Sequence, residues 1–226
     1  MIQVEQVYKR YRGFQGSPDW VLKDVSFTIP KGVSVGLIGR NGAGKSTLLR
    51  LIGKMDQPDR GAISHQGRVS WPIGLSGGFQ GSMTGRQNVK FVARIHGGDA
   101  DIRRVMHFVE DFAEIGEAFD RPVRTYSSGM KSRLSFGMSL AFDFDIYLSD
   151  EATAVGDASF RRKATEAFRE RIGRASIVMA SHSEGILKDL CEAGVWLEAG
   201  RAHWFDRIED ALAAYHQSIG KTGKKK

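Results

Sequence analysis

The spacing of apolar residues predicts buried strands that alternate with amphipathic helices along most of the chain. Strands are predicted where apolar residues run together or alternate, and helices where they recur every three or four residues. The predicted strands are Ile2–Tyr8, Val21–Ile29, Val33–Ile38, Asp145–Glu151, Ser176–Ala180, Val195–Glu198 and Arg201–Phe205. The predicted helices are Ser46–Ile52, Ser159–Ile172, Glu184–Cys191 and Arg207–Ile219. This alternation indicates an α/β fold with a mainly parallel sheet.

Residues 84–139 have helical periodicity instead of the alternating pattern. The stripes that they form are typical of helices packed on a core. The first stripe consists of Ile102, Val105, Met106, Val109, Phe112 and Ala113, and the second of Met130, Leu134, Gly137, Met138 and Ala141. We therefore expect one folding unit over residues 1–226. Its core comprises about residues 1–80 and 141–226, and a helical subdomain of about residues 81–140 is inserted between the two halves.

A glycine-rich stretch joins the predicted strand Val33–Ile38 to the helix that follows it. It fits G-x-x-x-x-G-K-[ST], the pattern of a phosphate-binding loop. Glycines let successive backbone N–H groups turn towards phosphate oxygens, and the helix adds its positive N-terminal end. The loop is Gly39, Arg40, Asn41, Gly42, Ala43, Gly44, Lys45, Ser46 and Thr47. The chain is therefore predicted to bind a nucleoside triphosphate, with Lys45 on the terminal phosphates and the Ser46 hydroxyl on Mg²⁺.

Polar residues follow two further apolar strands. Asp150 and Glu151 end the predicted strand Asp145–Glu151, and His182 lies just past Ser176–Ala180. In a parallel sheet these strand ends share the edge where ligands bind. Phosphoryl transfer needs a metal ligand and a group that orients the attacking water, so we expect Asp150 to hold Mg²⁺ and Glu151 to face the water. His182 is a candidate γ-phosphate contact or a structural histidine.

Two weaker candidates lie elsewhere. An aromatic side chain upstream of the loop is suited to stack on a purine ring, with Tyr11 as the first choice and Trp20 as the second. Either residue is nearly as well explained by packing on a sheet edge. Ser127, Ser128 and Gly129 precede a helix and suit a second anion site, although a simple helix cap explains them at least as well.

Composition and charge limit the functional classes. Of the 226 residues, 41% are hydrophobic and 26% are charged, as in ordinary globular proteins. The single cysteine excludes an internal disulfide. We expect no secretory leader and no membrane-spanning helix. The net charge of +7 includes a lysine-rich end, residues 221–226, which fits a disordered tail or a contact with anionic lipid or nucleic acid. Without basic residues interleaved with exposed aromatics, no nucleic-acid partner is expected.

Together these residues resemble the ATP-binding cassette of ABC transporters, a P-loop NTPase of the RecA-like class. The resemblance covers nearly the whole chain. Five motifs appear in the family's order: Gly39–Thr47, Thr125–Lys131, Asp150-Glu151, Ala154–Asp157 and His182. The signature usually reads Ser-Gly-Gly-Gln where this chain has Ser127-Ser128-Gly129-Met130. That variant and the stretch Trp71–Val89 resemble the polysaccharide-export branch, especially the ATPase subunits of capsular polysaccharide exporters.

The resemblance implies further roles. The fold would carry an antiparallel β portion near its N-terminus. Gln80 would contact Mg²⁺ and the attacking water and would sense a membrane partner, and Asp157 would communicate across a dimer. Ser127, with Ser128 and Gly129, would contact ATP bound by a second copy of the chain. The site would therefore be composite and the active form a homodimer.

The resemblance also implies partners and a place in the cell. The chain would bind ATP and Mg²⁺ at the cytoplasmic face of the bacterial inner membrane and drive a separate permease, itself a dimer. Further periplasmic and outer-membrane export components would complete the system. The expected cargo is a capsular polysaccharide, which is expected to be lipid-linked. The alternatives are O-antigen, teichoic acid or another cargo, or a soluble ABC ATPase that acts on nucleic acid or ribosomes.

Overall fold

The computed structural model describes residues 1–11, 20–73, 79–96, 101–150, 158–172 and 174–222. The chain divides into two compact units. The first comprises Met1–Pro72, Phe144–Asp150 and Arg174–Lys226. The second comprises Ile73–Asp143 and Glu151–Gly173.

A three-stranded antiparallel sheet lies in the first unit. It contains β1 (Ile2–Arg10), β2 (Trp20–Ile29) and β4 (Arg60–His65), with β1 in the centre. The expected antiparallel portion is therefore present. Sequence patterning alone predicts β1 and β2 but not the pairing of β1 with β4.

Bulges in β1 and β2 decide which side chains face inward. In β1 the buried positions change from even to odd numbers after Gln6, whose φ is +47°. The pairing of β1 with both neighbours shifts at the same place. A bulge adds one residue to a strand and so turns the following side chains to the opposite face. In β2 the same change occurs at Asp24, with φ +52°. One consequence is that Lys9 lies on the buried face of β1.

A six-stranded sheet forms the centre of the first unit. Its order is β5 (Val69–Ile73), β6 (Ile146–Asp150), β7 (Ser176–Ala180), β3 (Val35–Ile38), β8 (Ala193–Glu198) and β9 (Arg201–Phe205). The four strands β6, β7, β3 and β8 are parallel, whereas β9 returns antiparallel to β8. All residues of β3 and β7 are buried. Burial on both faces explains why these strands appear in the sequence as continuous apolar runs.

The core of this unit contains residues from both sheets and from helix α1 (Lys45–Ile52). Leu48, Leu49 and Ile52 of α1 are fully buried. The rings of Phe27 in β2 and Trp204 in β9 stack at 6.3 Å between centroids, which links the antiparallel sheet to the edge of the larger one. The phosphate loop is thus supported by a helix whose apolar side is locked in the core.

Helices α6 (Glu184–Leu190) and α7 (Ile208–Thr222) belong to the same unit. Helix α7 packs on β3 and β8 where two glycines, Gly36 and Gly194, pair side by side. A Cβ atom at Gly194 would lie 2.5 Å from the Ala211 Cβ, and one at Gly36 would lie 2.7 Å from the Ile208 Cδ1. The paired glycines therefore permit the close approach of this helix.

The second unit is mainly helical and contains α2 (Gly85–His96), α3 (Ile102–Ala113), α4 (Ser128–Leu140) and α5 (Ala158–Ile172). Two 3₁₀ helices, Gly116–Asp120 and Val123–Thr125, join α3 to α4. Phenylalanine rings pack between α3, α4 and α5, with ring contacts at Phe108, Phe112, Phe136, Phe160 and Phe168. These contacts group α5 with the helical unit, whereas the division expected from the sequence assigns its residues to the core.

Ion pairs brace the helical unit outside its aromatic core. The Arg86 guanidinium in α2 donates to Glu110 Oε1 at 2.6 Å and to Asp120 Oδ1 at 2.7 Å. Hydrogen bonds to these carboxylates raise the pKa of Arg86 above its usual value. Lys163 in α5 donates to Glu114 Oε1 at 2.5 Å, just past the end of α3. Charged groups thus connect α2, α3 and α5.

Candidate nucleotide-binding site

The phosphate loop joins the end of β3 to the start of α1, as predicted. Gly39, Gly42 and Gly44 have φ values of +154°, +79° and +104°. L-residues with side chains rarely adopt such values, so the curvature of the loop depends on its glycines. The cap residue of α1 is Gly44, no side chain caps the helix, and its first turn has no acidic residue. The N–H groups of this turn are therefore suited to an anion.

Two neighbouring strands, β8 and β2, pack closely against this loop. A Cβ atom at Gly39 would lie 2.5 Å from the Leu197 carbonyl oxygen of β8. A Cβ atom at Gly44 would lie 2.8 Å from the Leu22 Cδ2 of β2. The two glycines thus let the loop fit between β8 and β2, in addition to their role towards phosphate.

Lys45 lies across its own loop. Its side chain is buried, and its Nζ donates to the Gly39 carbonyl oxygen at 2.7 Å and to that of Arg40 at 3.2 Å. These bonds place the positive charge at the rim of the loop, where a triphosphate needs it. Ser46, the next residue, is exposed at the first turn of α1.

Strand register brings Asp150 and His182 to the loop's edge of the sheet. Ala180 in β7 pairs with Leu37 in β3 and with Asp150 in β6. The three residues therefore form one row across adjacent parallel strands, spanning about 10 Å at the usual strand spacing. His182 lies two residues beyond Ala180, as Gly39 lies two residues beyond Leu37. His182 is exposed, and Asp150 is half-buried.

The oxygen donors at this edge fit a magnesium ion. Mg²⁺ prefers hydroxyl, carboxylate and phosphate oxygens, and it seldom relies on a cage made entirely of protein groups. Ser46 and Asp150 provide one hydroxyl and one carboxylate at the edge where the loop binds phosphate. These two residues would hold the ion, which would supply charge neutralisation for the phosphate oxygens.

The two aromatic candidates have different surroundings. Tyr11 directly follows β1, is 44% exposed, and donates its hydroxyl to Asp56 Oδ2 at 3.0 Å. Trp20 begins β2 and contacts the Tyr8 ring edge to face at 5.4 Å. The guanidinium of Arg10 lies 4.7 Å from the centre of the Trp20 ring. Trp20 is therefore the more enclosed ring, and Tyr11 is the more accessible.

A cavity of about 610 Å³ adjoins the outer side of the phosphate loop. Its described wall includes Arg40, Gly42, Trp20, Trp196, Gly200 and Tyr215. The tip of the β8–β9 hairpin closes one side, since the Lys23 N–H donates to the Gly200 carbonyl oxygen at 2.7 Å. The cavity thus belongs to the first unit and contains the second-choice aromatic, Trp20.

In the second unit, Asn88 holds the backbone of Gln80 from both sides. The Gln80 N–H donates to Asn88 Oδ1 at 2.8 Å, and Asn88 Nδ2 donates to the Gln80 carbonyl oxygen at 3.2 Å. Asn88 is 3% exposed, whereas Gln80 is exposed. Sequence reasoning missed Asn88. The available signal was the capping box Thr84-x-x-Gln87, whose reciprocal bonds of 2.9 and 3.1 Å start α2 beside this residue.

The proposed signature residues begin helix α4. The Ser127 hydroxyl accepts a hydrogen bond from the Met130 N–H at 3.2 Å and so caps the helix. Ser127 and Ser128 are exposed, and Gly129 is half-buried. The cap predicted from the residues is therefore present, and its exposed position leaves it accessible to a ligand. Two other predicted residues, Glu151 and Asp157, lie outside the described part of the chain.

Comparison with protein families now decides the class of this site. A family model described as "ABC transporter" matches residues 22–154. That match covers more than half of the chain and includes both the phosphate loop and Asp150. The chain belongs to the ABC transporter family. As an ABC-type ATPase it binds ATP, and the expected cassette is confirmed.

Several curated ABC relatives match nearly the whole chain. The polysialic acid transport ATP-binding protein KpsT of Escherichia coli is 47% identical over 97% of this chain and 100% of its own. The capsule polysaccharide export ATP-binding protein CtrD of Neisseria meningitidis serogroup B is 46% identical over 96% of this chain and 99% of its own. The O-antigen export system ATP-binding protein RfbB of Klebsiella pneumoniae is 36% identical over 94% of this chain and 89% of its own.

Solved structures confirm the ABC fold. The ATP-binding cassette MJ0796, determined as a dimer in a post-hydrolysis state with ADP and phosphate, superposes with a TM-score of 0.78. That match has 20% sequence identity and covers 92% of this chain and 99% of the other.

Within the described residues, none of the helices combines the length and apolar character needed to cross a membrane.

Proposed function

We propose that this ABC ATPase powers export of a capsular polysaccharide, carried as a lipid-linked chain, across the bacterial inner membrane. The observation that carries the proposal is the ranking of its relatives. Proteins of polysialic acid and capsule export are 46–53% identical, whereas the O-antigen relative RfbB of Klebsiella pneumoniae is 36% identical. The chain would act as a peripheral subunit on the cytoplasmic face, beside a separate permease dimer and further periplasmic and outer-membrane components.

The chemistry proposed for each site residue follows from its place. The loop N–H groups and Lys45 bind and neutralise the β- and γ-phosphates, while Ser46 and Asp150 hold Mg²⁺. Glu151 takes a proton from the attacking water, because a carboxylate one residue beyond a strand-end metal ligand is suited to a general base. His182 donates to the γ-phosphate from the end of β7. Gln80 orients the water and senses the partner.

The proposed active form is a homodimer with composite sites. Ser127 and Ser128 are exposed at the N-terminus of α4, and a helix N-terminus suits the γ-phosphate of ATP held by a second copy. Asp157 would connect the two sites across the dimer. Each phosphate loop would then hydrolyse ATP only when the partner's signature closes over it.

An exposed apolar pair on α2 supports a permease partner. Phe91 and Ile95 are 57% and 61% exposed and lie one helical turn apart. Exposed large side chains of this kind favour an interaction surface. Helix α2 also contains Asn88, which holds the backbone of Gln80, so a membrane subunit that presses on this helix would act on Gln80.

A charged substitution tests whether the exposed apolar pair on α2 binds the permease. Phe91→Asp is expected to abolish association with membranes that contain the permease, because docking would then bury a charge. The ATPase activity of the isolated protein should stay within about two-fold of wild type, since the Phe91 side chain is exposed. Lys90→Asp, on the neighbouring exposed position, is the matched control. Unchanged membrane association of the Phe91 variant would contradict the surface.

The export role is tested in cells that assemble the polysaccharide. Deletion of the gene is expected to remove polysaccharide from the cell surface while polysaccharide accumulates inside, and the intact gene should restore export. The variant Glu151→Gln should fail to restore it. Loss of O-antigen from the cell surface, with the capsule intact, would instead identify O-antigen as the cargo.

The same variant tests the general base in solution. Glu151→Gln is expected to retain ATP affinity but to lose about 10²–10⁴-fold in hydrolysis rate, because the proton acceptor is removed. ATP-bound protein should then accumulate as a dimer in size-exclusion chromatography. Turnover near that of wild type would remove Glu151 from this role.

A further inference from the structure

A polar network connects Tyr11 to the turn that follows α1. The Tyr11 hydroxyl donates to Asp56 Oδ2 at 3.0 Å, although the two residues are 45 positions apart in the sequence. The other carboxylate oxygen, Oδ1, accepts from Lys9 Nζ at 2.7 Å and from the Gln57 N–H at 2.7 Å. Asp56 therefore holds the phenol with one oxygen and is itself fixed through the other.

Lys9 is the buried anchor of this network. Its Nζ also donates to the Gln57 carbonyl oxygen at 2.6 Å, and the residue is 8% exposed. Burial lowers the pKa of Lys9, but the Asp56 carboxylate outweighs that effect and raises it overall. For Asp56, burial raises the pKa, while the hydrogen bond from Lys9 outweighs it, and the pKa is lowered overall. Both groups are therefore charged at neutral pH, which strengthens the bonds between them.

The position of Lys9 follows from the bulge in β1. Because the bulge at Gln6 reverses the alternation, Lys9 points to the buried face, where it meets the turn after α1. Backbone contacts add to this junction. The Asp59 N–H donates to the Tyr8 carbonyl oxygen at 2.9 Å, and Asp59 Oδ2 accepts from the Arg10 N–H at 2.8 Å. The end of β1 is thus fastened to this turn at several points.

The network fixes an accessible ring near the C-terminal end of the helix that begins at the phosphate loop. Helix α1 has the loop at its N-terminus and the Asp56 turn after its C-terminus, so one rigid element connects the two. The Tyr11 ring is 44% exposed, and Lys9 Nζ lies 5.2 Å from its centre. Trp20, the competing aromatic, contacts Tyr8 and two guanidinium groups, those of Arg10 and Arg60.

We propose that Asp56, anchored by Lys9, positions the Tyr11 ring through its hydroxyl as the platform on which the purine of ATP stacks. Asp56 and Lys9 are then positioning residues for base recognition, at a distance from the base itself. This inference rests on the proposed binding of ATP and on the role in purine stacking that the sequence predicts for Tyr11. It makes the hydroxyl of Tyr11, and not only its ring, necessary for tight binding of ATP.

The decisive variant is Tyr11→Phe, which keeps the ring and removes the hydroxyl. Calorimetric titration with Mg²⁺ and ATP is expected to show about two- to ten-fold weaker binding, because a ring that the hydroxyl no longer fixes must be ordered when the base stacks on it. Titration with Mg²⁺ and inorganic tripolyphosphate, which has no base, should be unchanged. Tyr8→Phe, three residues earlier in β1, is the matched control and should bind both ligands like wild type.

A double-mutant cycle then identifies the acceptor. Asp56→Ala should weaken ATP binding about as much as Tyr11→Phe, and the double variant should be no weaker than either. Because Asp56→Ala leaves Lys9 unpaired, the pair Asp56→Ala with Lys9→Met is measured as well, and thermal unfolding checks that every variant is folded.

Each alternative result overturns the inference in a recognisable way. Wild-type ATP affinity in Tyr11→Phe, together with weak binding in Tyr11→Ala, would show that the ring acts without Asp56. Wild-type affinity in both would show that the base lies elsewhere. Equal loss of ATP and tripolyphosphate would show a general structural role. Failure of the wild-type chain to bind either ligand would refute the nucleotide site itself.

Discussion

At the scale of single residues, one backbone carbonyl restricts the phosphate loop. The Leu197 oxygen lies 2.5 Å from the place of a Cβ atom at Gly39, whereas no atom lies within 4 Å of one at Gly42. Both residues have positive φ, so replacement of either costs backbone energy, on the order of 1–3 kcal/mol. Only a side chain at position 39 would also clash with a strand, because it meets the Leu197 carbonyl oxygen of β8.

We therefore expect Gly39→Ala to lower the free energy of unfolding more than Gly42→Ala does. Urea titration followed by circular dichroism measures the difference, with Gly42→Ala as the internal control for backbone strain. Equal losses in the two variants would show that β8 yields to the added methyl group.

The only cysteine of the chain provides a second residue-scale prediction. Cys191 is 5% exposed, and burial, with a smaller contribution from Glu192, raises the pKa of its thiol to about 12. Because the thiolate is the reactive form, maleimide at pH 8 should label the native protein very slowly. Labelling should become fast where urea unfolds the chain. Rapid labelling without urea would show that the region between α6 and β8 opens readily.

The raised pKa of Cys191 also sets a pH dependence. The folded state holds this proton more tightly than the unfolded state, so its contribution is intact below the unfolded pKa near 9 and is lost as pH rises towards 12. Unfolding free energy should therefore fall over this range, and less steeply in Cys191→Ala. Matching slopes in the two proteins would contradict burial of the thiol.

At the scale of elements, the packing of α7 on β3 and β8 depends on the glycines Gly36 and Gly194. Gly194→Ala is expected to destabilise the fold by about 1–3 kcal/mol, because its methyl group meets Ala211 beside the helix backbone. Gly36→Ala should cost less, since it meets the flexible end of Ile208. Thermal unfolding compares them, and Ala211→Gly should partly rescue Gly194→Ala. Absence of any rescue would place the cost of the substitution elsewhere.

The elements themselves were largely predictable from sequence. The strands of the parallel sheet are buried on both faces, and the helices have apolar stripes. Both features produce patterns of apolar residues that can be recognised along the sequence. The hairpin at Ala199-Gly200 is confirmed, with φ of +48° and +81° at the two residues. The bulges at Gln6 and Asp24 were not predictable, because neither residue is a glycine and the shift depends on pairing with distant strands.

Part of the candidate site was also predictable, because some of its residues belong to continuous sequence motifs. Local motifs identify the phosphate loop, Asp150 and the Ser127 cap because strand, loop and helix are contiguous in sequence. Lys9, Asp56 and Asn88 act through contacts that form only after folding, so local patterns do not reveal them. The roles of Gln80, Glu151, Asp157 and the signature residues stay predictions.

At the scale of the whole molecule, composite sites predict complementation between inactive variants. Lys45→Ala and Ser127→Arg should each be inactive as homodimers. Random mixing in equal amounts would leave about a quarter of the sites with an intact loop facing an intact signature. We expect ATPase activity to reappear in the mixture in proportion. A mixture as inactive as its parts, although dimers form, would contradict the composite site.

The position of β3 between β7 and β8 has a consequence for the order of synthesis. The strand that begins the phosphate loop is made early, near residue 38, but its hydrogen-bonding neighbours start at residues 176 and 193. Pairings so distant in sequence form late and slowly. A ribosome must therefore release almost the whole chain before ATP can be held, and until then the apolar strand β3 depends on chaperones or on collapse to avoid aggregation.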